Sequence, residues 1–104
     1  MRPANAMHLD ASALNRKTLT YPHPRDPSAY GDVHLAFAND TVRADNLRSS
    51  ATGRYTVSDD QVCLKFTTPT WSDYCLYVMP ADGRGGAVQV MFPRDGRTIA
   101  ATLR

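Results

Sequence analysis

The chain is predicted to be all-β, a small antiparallel up-and-down barrel or a two-layer sandwich of seven to eight strands, with a short N-terminal helix or coil. Three observations carry that expectation. From Asp32 onward, apolar and polar residues alternate with period two through successive runs. The runs return about every ten residues, with Gly, Asn, Asp and Ser between them. The third is composition. All ten acidic residues of this 104-residue chain are aspartates, and ten of the twelve basic residues are arginines, Lys17 and Lys65 being the lysines. Glutamate and lysine favour helices while aspartate favours caps and turns, so the balance argues against a helical domain.

Taken in order, residues 1–12 read as a flexible N-terminal segment and residues 13–104 as one domain. The opening "MRPANAMHLDASALNRK" has no apolar run of the kind a signal peptide carries. A short helix is expected in "HLDASALN", capped by Asp10 or Ser12, and then a strand at Thr18–Tyr21. "PHPRDPSAYGD" holds three prolines and no periodicity, and is predicted to be an irregular loop. Next come Val33, Leu35 and Phe37 against His34 and Ala36, then Val42 and Ala44 against Arg43 and Asp45. Tyr55 and Val57 follow, then Val62, Leu64 and Phe66, and Tyr74, Leu76 and Val78. Val88, Val90 and Phe92, and finally Ile99, Ala101 and Leu103, complete the series. Turns are predicted at "AND" (38–40), "SSATG" (49–53), "SDD" (58–60), "DGRGG" (82–86) and "PRDG" (93–96). Connections this short make neighbouring strands antiparallel. Closing the sheet into a barrel would hide the apolar face and remove edge strands at once.

Both cysteines lie in "QVCLKFTTPTWSDYCLYV", residues 61–78. Placing Cys63 opposite Cys75 in an antiparallel pair sets Leu64 opposite Tyr74 and Val62 opposite Leu76, so each apolar residue meets an apolar partner. Cys63, Lys65, Cys75 and Tyr77 then share the outer face. Directly opposed residues are about 4.5–5.5 Å apart at Cα, within reach of a disulfide. A redox pair of the thioredoxin kind needs two intervening residues at a helix N-terminus, and zinc needs about four ligands; neither fits. Two free thiols in a reducing compartment remain the alternative. A disulfide implies an oxidising compartment.

The net charge of +2 does not by itself imply a nucleic-acid partner, and no run is long and apolar enough to span a membrane as a helix. Nucleic-acid binding would require the cysteines to be free. His8, His23 and His34 form no ligand pattern, so no metal and no cofactor are expected. The glycine-rich, nucleophile-elbow and zinc-protease motifs are all missing, and an enzyme is not expected. The candidate binding residues are Trp71, Tyr77, Arg54, Arg84 and His23. Trp71, in the bend joining the cysteine strands, would either plug an open barrel end or anchor a partner. The arginines read either as part of that surface or as solvated charge balanced by nearby aspartates. The loops at Tyr21–Asp32, Thr68–Ser72 and Asp82–Gly86 are the expected contact surfaces.

Several segments together resemble a family of small exported proteobacterial proteins of unassigned function: "LNRKTLTY", "VHLAFANDTVRA", "TGRYTVSDDQVCLKF", "YCLYV" and "RDGRTIAATL". The likeness spans roughly residues 13–103 and is most specific from Gly53-Arg54-Tyr55 through Val62-Cys63-Leu64, followed by Cys75. The sequence departs from the pattern at Asn39-Asp40, where Asp-Gly is common, and at Asn15-Arg16, where glycine is usual. The resemblance implies a disulfide-bonded β domain in the periplasm or outside the cell, and carries no catalytic residue. The expected function is a non-enzymatic exported module that binds a protein partner or small ligand through its loops, with an inhibitor or immunity protein as one form. It would act as a monomer or homodimer. The alternative is an envelope-assembly component acting by oligomerisation through an apolar outer face around Tyr77 and Met91.

Overall fold

The structure is a computed structural model and describes residues 11–68, 71–81 and 86–104. Eight strands follow in chain order: β1 (Thr18–Pro22), β2 (Asp32–Ala38), β3 (Thr41–Asp45), β4 (Ser50–Ser58), β5 (Gln61–Phe66), β6 (Tyr74–Pro80), β7 (Ala87–Phe92) and β8 (Arg97–Leu103). Each pairs antiparallel with the next. The sheet closes where β1 meets β8, at Leu19↔Leu103 and Thr20↔Thr102. The architecture is therefore the closed up-and-down barrel, not the sandwich. Two single-turn helices accompany it, α1 (Ala11–Leu14) and α2 (Pro27–Tyr30).

The alternating positions point inward as the periodicity predicts. Leu19, Leu35, Val62, Leu64, Leu76, Val78 and Val90 are buried in one interior cluster. Leu14, at the end of α1, joins it and is fully enclosed. Each such aliphatic side chain contributes about 1.5–3 kcal/mol through loss of apolar surface to water. Cys63 and Cys75 are opposed across β5 and β6 and joined in a disulfide, with their Cα atoms 4.0 Å apart.

Three local expectations are corrected. The "SSATG" stretch is not a turn: β4 starts at Ser50, and the β3–β4 connection is the tighter Asn46–Ser49. Gly53 sits within the strand because β4 and β5 approach closely there. A Cβ on Gly53 would lie 2.3 Å from the Lys65 carbonyl oxygen and 2.8 Å from Phe66 Cα. The proline-rich loop after β1 is not wholly irregular either. Pro27 falls in the first turn of α2, where a missing N–H costs nothing, and the Asp26 carboxylate accepts from the Ala29 amide as its N-cap.

The third correction concerns Tyr77. Its register, opposite Gln61 and Met91, places it on the outer face, yet it is only 5% exposed, and Met79 beside it is equally enclosed. Alternation sets which way a side chain points and leaves open what surrounds it. Its register partners Gln61 and Met91, and the two cysteines on the same face, are themselves half-buried. Tyr77 is therefore not an exposed contact residue.

An up-and-down barrel sends alternate connections to opposite ends. Those between β1 and β2, β3 and β4, β5 and β6, and β7 and β8 gather at one end. β6 ends and β7 begins at the other end, where the hairpins after β2 and β4 lie; the turn expected at 82–86 falls mostly outside the described residues. Arg84 and the expected cap Asp10 lie outside the described residues.

Candidate functional site

The gathered loop end is built on an aromatic floor. Tyr21, on β1, and Tyr74, on β6, meet with their hydroxyls 2.6 Å apart. Phe92 lies edge-on to Tyr21 at 5.5 Å between centroids, and Phe66 is 6.0 Å from Tyr74. Burial pushes the Tyr21 phenol well above its ordinary range, and the Tyr74 hydroxyl beside it adds to the effect. Tyr74 is pushed up to about 12 by burial, against the opposing effect of its hydrogen bond to Tyr21. Both hydroxyls are therefore neutral across the physiological range, and one donates to the other.

Trp71 covers this floor. Its ring packs 5.4 Å from Phe66, and its Nε1–H donates to Ser49 Oγ at 3.0 Å, across the gap to the β3–β4 loop. It is half-buried and packed against the core, so the plugging role predominates over that of a free anchor.

Above the floor, the loops are stitched to one another. The β3–β4 turn is set by Asn46, whose Oδ1 accepts from the amides of Arg48 and Ser49 at 2.8 and 3.0 Å. An Asn side chain that satisfies the amides two and three residues ahead is the means by which Asn makes turns. The same turn reaches α2: the Leu47 amide donates to the Tyr30 carbonyl at 2.8 Å, and Arg48 Nε donates to the Ala29 carbonyl at 2.9 Å. The Arg48 guanidinium also lies over the Tyr30 ring, 5.5 Å from its centroid. From β8, the Arg97 guanidinium donates to the Pro24 carbonyl.

The product of this bracing is an apolar side chain held out in water. Leu47 is 73% exposed and Tyr30 37%, the large hydrophobic side chains most open to solvent among the described residues. Neither was singled out in the sequence. The available signal was an isolated leucine inside the polar turn "DNLRSS", where an apolar residue has no periodic partner.

Of the expected binding residues, the fold brings His23 and Trp71 to this end. The His23 ring stacks on Tyr30 at 4.5 Å, and its Nδ1 accepts from the amides of Arg25 and Asp26. Arg54 is elsewhere, on the outer face of β4, paired with Asp40 at 3.1 Å while both side chains stay largely exposed. Such a pair is solvated charge worth little to stability. Tyr77 is enclosed on β6. His34, expected on the solvent face, is half-buried, its Nδ1 3.1 Å from Thr20 Oγ1.

No group of three or more His, Cys, Asp or Glu among the described residues is arranged to hold a metal ion. No helix among them is long and apolar enough to cross a membrane. The fold and this end together define a disulfide-bonded eight-stranded barrel with a braced loop surface. Comparison with protein-family models, curated proteins and solved structures returned no match.

Proposed function

We propose that the protein is a non-enzymatic binding module, exported to the periplasm or beyond, that engages a protein partner through the loop end of its barrel. The observation that carries this reading is Leu47. Side-chain and main-chain hydrogen bonds from Asn46 and Tyr30 fix the turn around it, and the leucine they present is 73% exposed. Holding an apolar group in water gains nothing for the isolated fold. An apolar side chain carried on a fixed backbone and flanked by a tyrosine and an arginine is suited to a partner's pocket, because the backbone ordering cost is already met in the free protein.

Two further observations support the reading. The barrel interior is occupied by its own side chains, leaving surfaces as the place for contact. The disulfide fits an oxidising compartment, in keeping with the exported family that the sequence resembles. Self-association through the outer face around Tyr77 and Met91 has less to work with, since Tyr77 is enclosed.

The test compares the wild-type chain with Leu47→Asp, each immobilised and exposed to periplasmic and secreted protein from its native cell. A protein retained by the wild type and lost by the variant, with the variant's thermal midpoint unchanged, is the expected result. Equal retention by both chains would remove the loop end from the interaction. A concentration-dependent mass for the wild type alone in sedimentation would favour self-association instead.

A further inference from the structure

A histidine side chain sets the first turn of the β1–β2 loop. His23 Nδ1 accepts two backbone hydrogen bonds, from Arg25 N at 3.2 Å and Asp26 N at 3.1 Å. These are the amides two and three residues ahead, the same pattern that the Asn46 side chain makes in the β3–β4 turn. An imidazole nitrogen can accept only when it carries no proton, so this geometry requires the tautomer with its hydrogen on Nε2. Adding a proton puts an N–H on Nδ1, facing two other N–H donors. Both hydrogen bonds are then lost, and the ring has to turn away.

The consequences run along the loop to the exposed leucine. Asp26, whose amide is one of the two donors, is the N-cap of α2. Tyr30, against which the His23 ring stacks, closes that helix and supplies the carbonyl that holds the Leu47 amide. We infer that His23 is an acid-sensitive latch: its protonation opens the 23–26 turn and loosens the hold of the Tyr30 carbonyl on the Leu47 amide, while the Asn46 bonds within the β3–β4 turn remain. The consequence for partner binding rests on the function proposed above; the opening of the turn does not.

The charged and titratable groups around the latch act in both directions. Asp26, on the same loop, brings a negative charge near the ring. Its carboxyl is held below the usual range by Ser28 Oγ and then by the Ala29 amide, with smaller contributions from His23 and Arg48, so it stays ionised while histidine titrates. Arg25 beside it, Arg48 from the β3–β4 turn over the shared Tyr30 ring, and Arg97 from β8 on the Pro24 carbonyl bring positive charge. The two amide donors decide the geometry, because a cationic ring cannot satisfy them in any rotamer.

The full chain, labelled with ¹⁵N, provides the test without any partner. Imidazole nitrogen shifts and amide protection factors are followed between about pH 8 and pH 5, the range in which histidine changes charge. At the upper end Nδ1 should be unprotonated, with the hydrogen on Nε2. On acidification the protection of Arg25, Asp26 and Leu47 should fall together, by about tenfold or more. His23→Asn supplies an acceptor at similar reach that does not titrate. It should keep all three amides protected throughout, whereas His34→Gln should behave as the wild type.

A proton on Nδ1 at pH 8, constant protection through the titration, or an unchanged acid response in His23→Asn would each overturn the latch. Leu47→Asp separates the two proposals. It should abolish partner retention while leaving the acid response of Arg25 and Asp26 intact; loss of that response in Leu47→Asp would place its origin outside the His23 turn.

Discussion

The hydroxyls of Tyr21, on β1, and Tyr74, on β6, lie 2.6 Å apart, one donating to the other. Burial raises both above the ordinary tyrosine range, Tyr74 to about 12. The unfolded chain gives up these protons near pH 10 while the folded chain keeps them. Between those values the unfolded state binds fewer protons, so stability falls as pH rises; below pH 10 the contribution is fully present. Tyr74 alone accounts for a loss on the order of 3 kcal/mol. Urea midpoints measured at several values from pH 8 to 12 should show the decline, and phenolate absorbance should report Tyr21 and Tyr74 only as the chain unfolds. Ionisation of both near pH 10 in the folded chain would contradict it.

The Cys63–Cys75 bridge closes a short loop through Trp71. In the chain-entropy account, cross-linking a loop of this size stabilises by about 3 kcal/mol, a large share of what a domain this small possesses. Cys63→Ser combined with Cys75→Ser should lower stability by about that amount. Intact-mass measurement after alkylation, with and without reduction, should show both thiols blocked only after reduction. A double variant as stable as the wild type would mean that the strand pairing alone holds this part of the barrel.

Arg16 occupies a left-handed backbone conformation with φ 66°, a region that favours glycine. Its amide donates to the Phe37 carbonyl at 2.8 Å, which ties the entry of β1 to the end of β2. A side chain in this region costs about 1–2 kcal/mol, and glycine returns part of that as extra freedom in the unfolded chain. Arg16→Gly should therefore stabilise by about 0.5–1 kcal/mol in chemical denaturation. A loss of stability would show that the Arg16 side chain supports the turn itself.

Gly53 makes the opposite prediction. The carbonyl of Lys65 is backbone and cannot swing aside, so a Cβ placed 2.3 Å from it forces β4 and β5 apart. Gly53→Ala should destabilise by about 1–3 kcal/mol, the usual cost of overpacking. Chemical shifts along both strands should move. Unchanged spectra with unchanged stability would place the strands farther apart than described.

How much was legible depended on how local each feature is. Leu64 and Tyr74, and Val62 and Leu76, match only when Cys63 faces Cys75, so register and bridge followed from a stretch of eighteen residues. Asp59 and Asp60, both with positive φ, form the tight hairpin that "SDD" announced. The turn expected at "SSATG" failed because glycine serves turns and close strand contacts alike, and only the neighbouring strand distinguishes them. Leu47 and Tyr30 could not be read as a surface from the sequence, because what joins them is a hydrogen bond between two loops that carry no shared pattern.

By itself, the sequence determined the antiparallel series of strands from Asp32 onward, the alternation that turns one side of them inward, and the register that sets Cys63 opposite Cys75. Period-two alternation and short turns are local properties, and they leave neighbouring strands no arrangement but antiparallel. Only the tertiary structure decided that β1 closes on β8, where Leu19 meets Leu103. A sandwich would have hidden the same apolar residues, so burial could not choose between them. The tertiary structure also brought the connections of one barrel end together and set the Leu47 amide against the Tyr30 carbonyl. These relations join residues whose separation along the chain says nothing of their distance in space, because they are made by packing and not by periodicity.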